Sequence, residues 1–451
     1  MLDRFLFKKI DNSPLLVFRI FFGVLISLEC YGAILTGWVK RNLINPEFTF
    51  TFIGFEWLQP LPGTGMYFYF MVMGTLGVFI ALGYKYRFSV LAFTLLWAGV
   101  YLMQKTAYNN HYYLLLLISG IMFFLPAHKN YSIDAKRNPC IKENTVFSYV
   151  KWIIVLQLFI VYTYAAIAKM YGDWLDFSFI EILFRSKIHY PVVGDLLQHP
   201  VIHKFIGFSG ILFDLLIVPA LLWKPTRKWA FLISIFFHLF NSFIFQIGIF
   251  PYLALAFTLF FFPPELIRSI FLKKKVPILE SEYQNPSHKK WMIWFMALYF
   301  LVQLLLPIRH YFIEDDVLWT EEGHRMSWRM MLRNREGVTS FKVVNKATGD
   351  VYLVDQEAYL TKAQQRKTAS YPDFIWQFAQ HLKQEYKSRG EVVSVYVDSK
   401  VGINGKPFRA FIDSETDLAN TPWNYFWHNQ WILPSKIHDS TLENGEGETH
   451  F

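Results

Sequence analysis

Apolar residues run in blocks of roughly twenty from the N-terminus to about residue 306, and beyond that point apolar and polar positions mix. Nine blocks are long enough, some with help from flanking aromatics, to cross a hydrocarbon core of about 30 Å. They are 15–36, 66–84, 88–104, 111–126, 147–168, 205–223, 228–247, 249–263 and 291–306. The two shortest, 111–126 and 249–263, are expected to be less tilted, broken or shielded inside a bundle. After residue 306 the period changes. FKVVNKATGDVYLVD alternates around Gly349 and Asp350, and VVSVYVDSKVGINGKPFRAFID alternates around Asn404-Gly405. Both read as hairpins. Between them YPDFIWQFAQHLKQEY has helical spacing, with Pro372 in its first turn. The pattern predicts a polytopic α-helical membrane protein of about nine transmembrane helices with a C-terminal α+β domain. The expected boundaries are 1–306 for the helical region, 307–435 for the second domain and 436–451 for a polar, flexible tail.

The 451 residues are 53% hydrophobic and 19% aromatic, too oily for one water-soluble domain of this length. A net charge of +9 is compatible with nucleic-acid binding, but the lysines and arginines fall largely between the apolar blocks. That makes them topology signals, and no nucleic-acid partner is expected. The richer set includes Arg4, Lys8, Lys9, Lys85, Arg87, Lys129, Lys136, Arg137, Lys142, Lys224, Arg227 and Lys228. Placing it in the cytoplasm puts the N-terminus inside and the C-terminal domain outside, an extracytoplasmic arrangement. The N-terminus shows no cleavable signal pattern. Cys30 and Cys140 come out on opposite faces, so no disulfide is expected between them.

Polar residues inside the blocks are few, and ionisable ones are functional candidates by default. Lys169 closes the block QLFIVYTYAAIAKMYGDWL and falls on the same outer face as Asn109, Asn110 and His111. Snorkelling toward the headgroups would also explain it. His238 and Asn241 share a helical face in a phenylalanine-rich block. Arg19, Glu29 and Asp214 each need a partner, and pairing within the bundle is the better explanation for all three. The thirteen histidines are scattered, with no metal motif, phosphate loop or nucleophile elbow.

Several segments, in order, carry a resemblance: LQPLP (58–62), LGYKYRFS (82–89), KTAYNNHYYL (105–114), FIVYTYAAIAKMYGDWL (159–175), LFDLL (212–216), FFHLFNSFIFQIGIFPY (236–252), WTEEGHRMSWRMMLRNR (319–335) and FRAFIDSETD with TPW (408–423). Together they resemble the vitamin K-dependent gamma-glutamyl carboxylase family, whose membrane part is shared with HTTM-domain proteins. The likeness covers nearly the whole chain. It implies an enzyme that oxygenates reduced vitamin K (the hydroquinone) to its epoxide with O2. That oxidation generates a base strong enough to add CO2 to glutamate side chains of a peptide substrate, with no metal. The family's catalytic lysine matches Lys169 and its histidine matches His111. An ordinary lysine, with a pKa of about 10.4, would be cationic and useless as a base, so desolvation is required.

On the same resemblance Asn109, Asn110, His238 and Asn241 are expected to line the quinone head. Ser327, Trp328, Arg333 and Arg335 are expected to hold the glutamate, since the arginine fork suits a carboxylate. The expected partners are membrane lipid and a glutamate-containing protein or peptide on the outer side. Animal members carry a second lysine where this chain has Ala168, continue beyond residue 451, and hold a disulfide that this sequence cannot form. The composition is nearer that of a bacterial homologue, in an inner membrane; a eukaryotic member would sit in the ER membrane. Two alternatives stand beside the carboxylase: a quinone epoxidase that carboxylates nothing, and a non-catalytic quinone- or lipid-binding membrane protein.

Overall fold

The structure is a computed structural model that describes residues 2–278 and 283–436. Residues 1–307 together with Met326–Leu332 form one compact unit, and Ile308–Arg325 with 333 onward form the second. The tail expected at 436–451 lies outside the described residues except for Lys436.

The first unit is helical. Its principal helices are α1 (Ser13–Leu35), α2 (Gly65–Leu82), α3 (Tyr86–Met103), α4 (Asn110–Phe124), α5 (Tyr149–Ala168), α6 (Pro200–Leu222), α7 (Arg227–Phe245), α8 (Phe250–Phe257), α9 (Pro264–Phe271) and α10 (Lys289–Ile308). All nine apolar blocks are helical, but they do not make nine equal spans. Among the described residues, seven helices are long and apolar enough to cross a membrane: α1, α2, α3, α5, α6, α7 and Lys289–Phe312. The fourth block, α4, is only 15 residues long. The eighth turns through 119° between Phe250–Phe260 and α9, so it is a broken span or a re-entrant element. Pro263 and Pro264 stand at that break, where proline interrupts helix continuation. The two shortest blocks are thus the irregular ones.

Local chemistry sets the helix ends. Proline occupies the first turn of α1 and α6, where its missing N–H costs nothing. Gly83, at φ +62°, ends α2 in the left-handed conformation. Asn109 caps α4 by accepting from the Tyr112 amide at 2.8 Å. Where α1 crosses α2, a Cβ on Gly23 would strike the Ala81 backbone, and one on Gly77 would come within 2.8 Å of the Ser27 nitrogen. The crossing uses small residues because lipid supplies no hydrophobic drive between helices and close van der Waals contact must do so. At the N-terminal face, β1 (Lys9–Asp11) pairs antiparallel with β2 (Thr145–Phe147). Lys9 and Lys129 both bind Glu143, at 2.5 and 2.6 Å, and Lys275 binds Asp11.

The second unit is an antiparallel four-stranded sheet in the order β4-β3-β5-β6 with one long helix. The elements are β3 (Arg335–Asn345), β4 (Val351–Leu353), α11 (Lys362–Thr368), α12 (Pro372–Ser388), β5 (Val393–Ile403) and β6 (Arg409–Ala410). Both expected hairpins form: Val344 pairs with Val351, and Val401 pairs with Arg409 around Asn404 (φ +52°) and Gly405 (φ +74°). Along β3 the side chains alternate between exposed and buried, as a half-covered strand requires. Phe341, Val343, Val395 and Val397 on the sheet and Phe374, Phe378 and Leu382 on α12 are all buried. The Phe341 and Phe378 rings stand edge to face at 4.9 Å.

Candidate active site

Lys169 follows the last residue of α5. Its ammonium turns back along its own helix to donate to the Ala165 carbonyl at 3.3 Å and to the carboxylate of Asp214 on α6. Both groups are buried, at 9% and 6% exposure. The Trp174 ring centre lies 5.4 Å from the ammonium, and Trp174 itself is fixed by donating to the Gly207 carbonyl at 3.1 Å. Asp214 is the fifteenth residue of α6, about 20 Å along the helix from Pro200 at 1.5 Å per residue. The pair therefore lies well inside the bundle.

Beside it runs an aromatic wall. Phe213, the neighbour of Asp214, stacks on Phe237 of α7 at 3.7 Å and meets the Tyr162 ring at 6.0 Å. Tyr162 on α5 shares a hydrogen bond with His238 Nε2 at 3.2 Å. His238 is buried, and its Nδ1 has no partner among the described residues. Phe250, at the start of α8, bridges the two candidate histidines: its ring is 6.0 Å from that of His238 and stacks at 3.9 Å on that of His111. A continuous path thus joins Lys169 and Asp214, through Phe213, Tyr162, His238 and Phe250, to His111. The left-handed Gln246 (φ +51°) and Gly248 (φ +64°) turn the chain from α7 into α8 and so aim Phe250. A Cβ on Gly248 would approach the Glu29 carboxylate at 3.3 Å. That carboxylate in turn accepts from the Tyr112 hydroxyl at 3.0 Å.

The other expected residues divide. Asn241 lies three residues beyond His238 on α7, partly exposed. Asn109 is committed to capping α4. Asn110 accepts from the Tyr108 hydroxyl at 2.9 Å and donates to the Arg329 carbonyl at 3.0 Å. Its amide thus tethers the segment Met326–Leu332 within the first unit. Trp328, in that segment, stacks on Tyr113 at 4.9 Å, and its buried indole N–H has no acceptor among the described residues. Met326, Trp328 and Met331 all have positive φ. Three such bulky residues in seven is strain of the kind that collects at functional sites. Ser327 is buried in the same segment.

Arg333 and Arg335, expected to hold a substrate carboxylate, belong to the second unit and are engaged there by groups of that unit. Arg333 makes a two-pronged pair with Glu321. The Arg335 side chain is fully enclosed and donates to the carbonyls of Leu318, Trp319 and Ser370 at 2.6–2.9 Å. Both guanidinium groups are spent on their own domain, because a buried fork must satisfy its five donors.

Asp214 and Tyr162 are the members that the sequence underplayed. Asp214 was legible as a charge in need of a partner, but not as the partner of Lys169. Tyr162 and Phe250 carried no signal among so many aromatic neighbours. Residues 7–266 match the HTTM domain family, and residues 288–438 match the vitamin K-dependent gamma-carboxylase, lumenal domain. The chain belongs to the vitamin K-dependent gamma-carboxylase family. No solved structure matches the chain. The two matches support a membrane protein of carboxylase type, and the flat apolar quinol that this family implies can be set against the buried amine, the imidazoles and the aromatic wall. The fit is good. Stacked phenylalanines offer π faces to a ring, and His238 Nδ1, without a partner among the described residues, offers a polar atom to its oxygens. Lined by Tyr252, Leu255, Phe231 and Phe271, an almost wholly apolar groove of about 800 Å³ matches the chemistry of an isoprenoid tail.

Proposed function

We propose that this protein oxygenates reduced vitamin K and uses the base so produced to carboxylate glutamate side chains of a peptide on the outer side of the membrane. The observation that carries the reading is the buried Lys169–Asp214 pair standing beside the aromatic wall and the two imidazoles. Bound quinol supplies the redox chemistry with O2, and the chain's own groups handle protons and water. Lys169 Nζ is the proton acceptor. With Asp214 it forms a unit of zero net charge whether the proton rests on nitrogen or on oxygen. An apolar interior therefore penalises separated charges but not the unit. A proton held on the carboxyl leaves the amine uncharged and able to take another. Tyr162 and His238 orient one another, and the unfilled His238 Nδ1 receives or donates a hydrogen bond at the ring. His111, held flat against Phe250, stabilises negative charge as it develops. Trp174 and the phenylalanines exclude water, which would otherwise quench a strong base.

For glutamate the remaining candidates are Ser327 and Trp328, whose indole N–H is an unused donor. The engagement of Arg333 and Arg335 within their own domain favours a second reading, quinol oxygenation without carboxylation. One experiment separates them. Purified protein is given reduced vitamin K, O2, labelled bicarbonate and a glutamate peptide, with Lys169→Ala alongside. Label in the peptide together with epoxide supports carboxylation, and epoxide alone supports the second reading. Equal product from Lys169→Ala and wild type overturns the site.

A further inference from the structure

At the N-terminal face, far along the helices from His111 and Lys169, a crevice of about 620 Å³ opens between α1, α2 and the loop after α4. Its rim is cationic. Lys136 and Lys142 are exposed, and among the described residues neither pairs with a carboxylate. Arg19 lines the crevice from within the helical layer, 1% exposed. It donates from Nη1 to the Ala127 and Asn130 carbonyls at 2.8 and 3.3 Å and from Nη2 to that of Tyr131 at 2.6 Å, while its buried Nε has no partner among the described residues. Those bonds hold the loop in place, and among the described residues the guanidinium makes no direct ion pair, although Asp134 is near enough to act on its charge. The nearby carboxylates are engaged elsewhere: Asp134 accepts from the Lys85 and Tyr86 amides at 2.8 and 2.9 Å, and Glu143 is held by Lys9 and Lys129. No acidic side chain lines the crevice. The walls are apolar toward the helices, where Ile20, Val24 and Leu82 are 36%, 44% and 49% exposed.

Positive charge at the loop level and bare aliphatic surface at the helix level fit one kind of molecule. We propose that this crevice is a binding site for a single anionic phospholipid, its phosphate against Lys136 and Lys142 above Arg19 and an acyl chain along Ile20, Val24 and Leu82. A soluble phosphate would satisfy the rim and leave the walls bare. A zwitterionic lipid would cover the walls but bring a cation to a cationic rim.

The test titrates full-length protein in neutral detergent with phosphatidylglycerol, phosphatidylcholine or glycerol phosphate, and follows the thermal midpoint. Phosphatidylglycerol is expected to raise the midpoint saturably, and the other two are not. Lys136→Gln/Lys142→Gln, both surface changes, should weaken the half-saturating concentration at least tenfold, since each cation near anionic lipid contributes a severalfold factor. Lys224→Gln/Lys228→Gln removes equal charge elsewhere on the same face and should leave it unchanged. Equal stabilisation by phosphatidylcholine overturns the proposal, as does an equal effect of the two double variants. An equal response to glycerol phosphate would show a plain anion site and overturn the lipid assignment.

Discussion

Removing one member of a buried pair strands the other, so the charges at Lys169 and Asp214 are stability determinants as well as candidate reagents. Asp214→Ala should lower stability by about 3–5 kcal/mol, the usual cost of an uncompensated buried charge, read as a fall in the thermal midpoint in detergent. Lys169→Met/Asp214→Leu, which removes both, should recover most of that loss while giving neither epoxide nor labelled peptide. A double variant as unstable as Asp214→Ala would argue against charge as the cause. In the second unit, His428 Nδ1 lies 2.7 Å from Glu322, and that hydrogen bond holds the imidazole's pKa above its usual value. A group raised on folding adds stability that is complete below its unfolded pKa of about 6.5 and is lost as pH rises through the folded value. Wild type should therefore lose stability across that interval. His428→Gln should show no such loss, in thermal midpoints taken from pH 5.5 to 9.

Helices follow from long apolar runs whatever their partners, and for that reason every apolar block was legible. The bend at Pro263-Pro264 was less so, since a proline pair ends a helix without saying which way the chain goes next. The α1–α2 crossing makes its own prediction. Gly77→Val should push the helices apart, costing about 1–3 kcal/mol through overpacking, whereas Gly32→Val, where a Cβ meets nothing within 4 Å, should cost far less. Comparing the two midpoints checks whether close packing holds this pair. Site residues that end a span, such as Lys169, or that open one, such as His111, stood out because a polar group in an apolar run is rare. Tyr162, Phe213 and Phe250 did not, because relations between elements decide which of 86 aromatic residues meet at one point, and no single run encodes them. The partners of Arg333 and Arg335 were not legible for a related reason: a fork that suits a substrate carboxylate suits a glutamate of its own domain equally well.

For the whole molecule, the loop charges predict which face meets the cytoplasm, and Cys140 offers a direct reading of it. This thiol is free and exposed on the N-terminal side, whereas Cys30 is buried in α1. In sealed vesicles with the cytoplasmic face outward, a membrane-impermeant maleimide should label wild type at Cys140 and leave Cys140→Ser unlabelled. Oppositely oriented vesicles should show no labelling of either. Labelling in the reverse orientation would invert the topology and place the phospholipid crevice in the other leaflet. The neutrality of the Lys169–Asp214 unit also bears on energised membranes. A charge crossing the full thickness gains about 2.3 kcal/mol per 100 mV, but a proton shifting about 1 Å of some 30 Å between nitrogen and oxygen gains less than about 0.1 kcal/mol. Turnover should therefore be the same in polarised and in short-circuited vesicles, so the chemistry would run at one speed whatever electrical load the cell places on that bilayer.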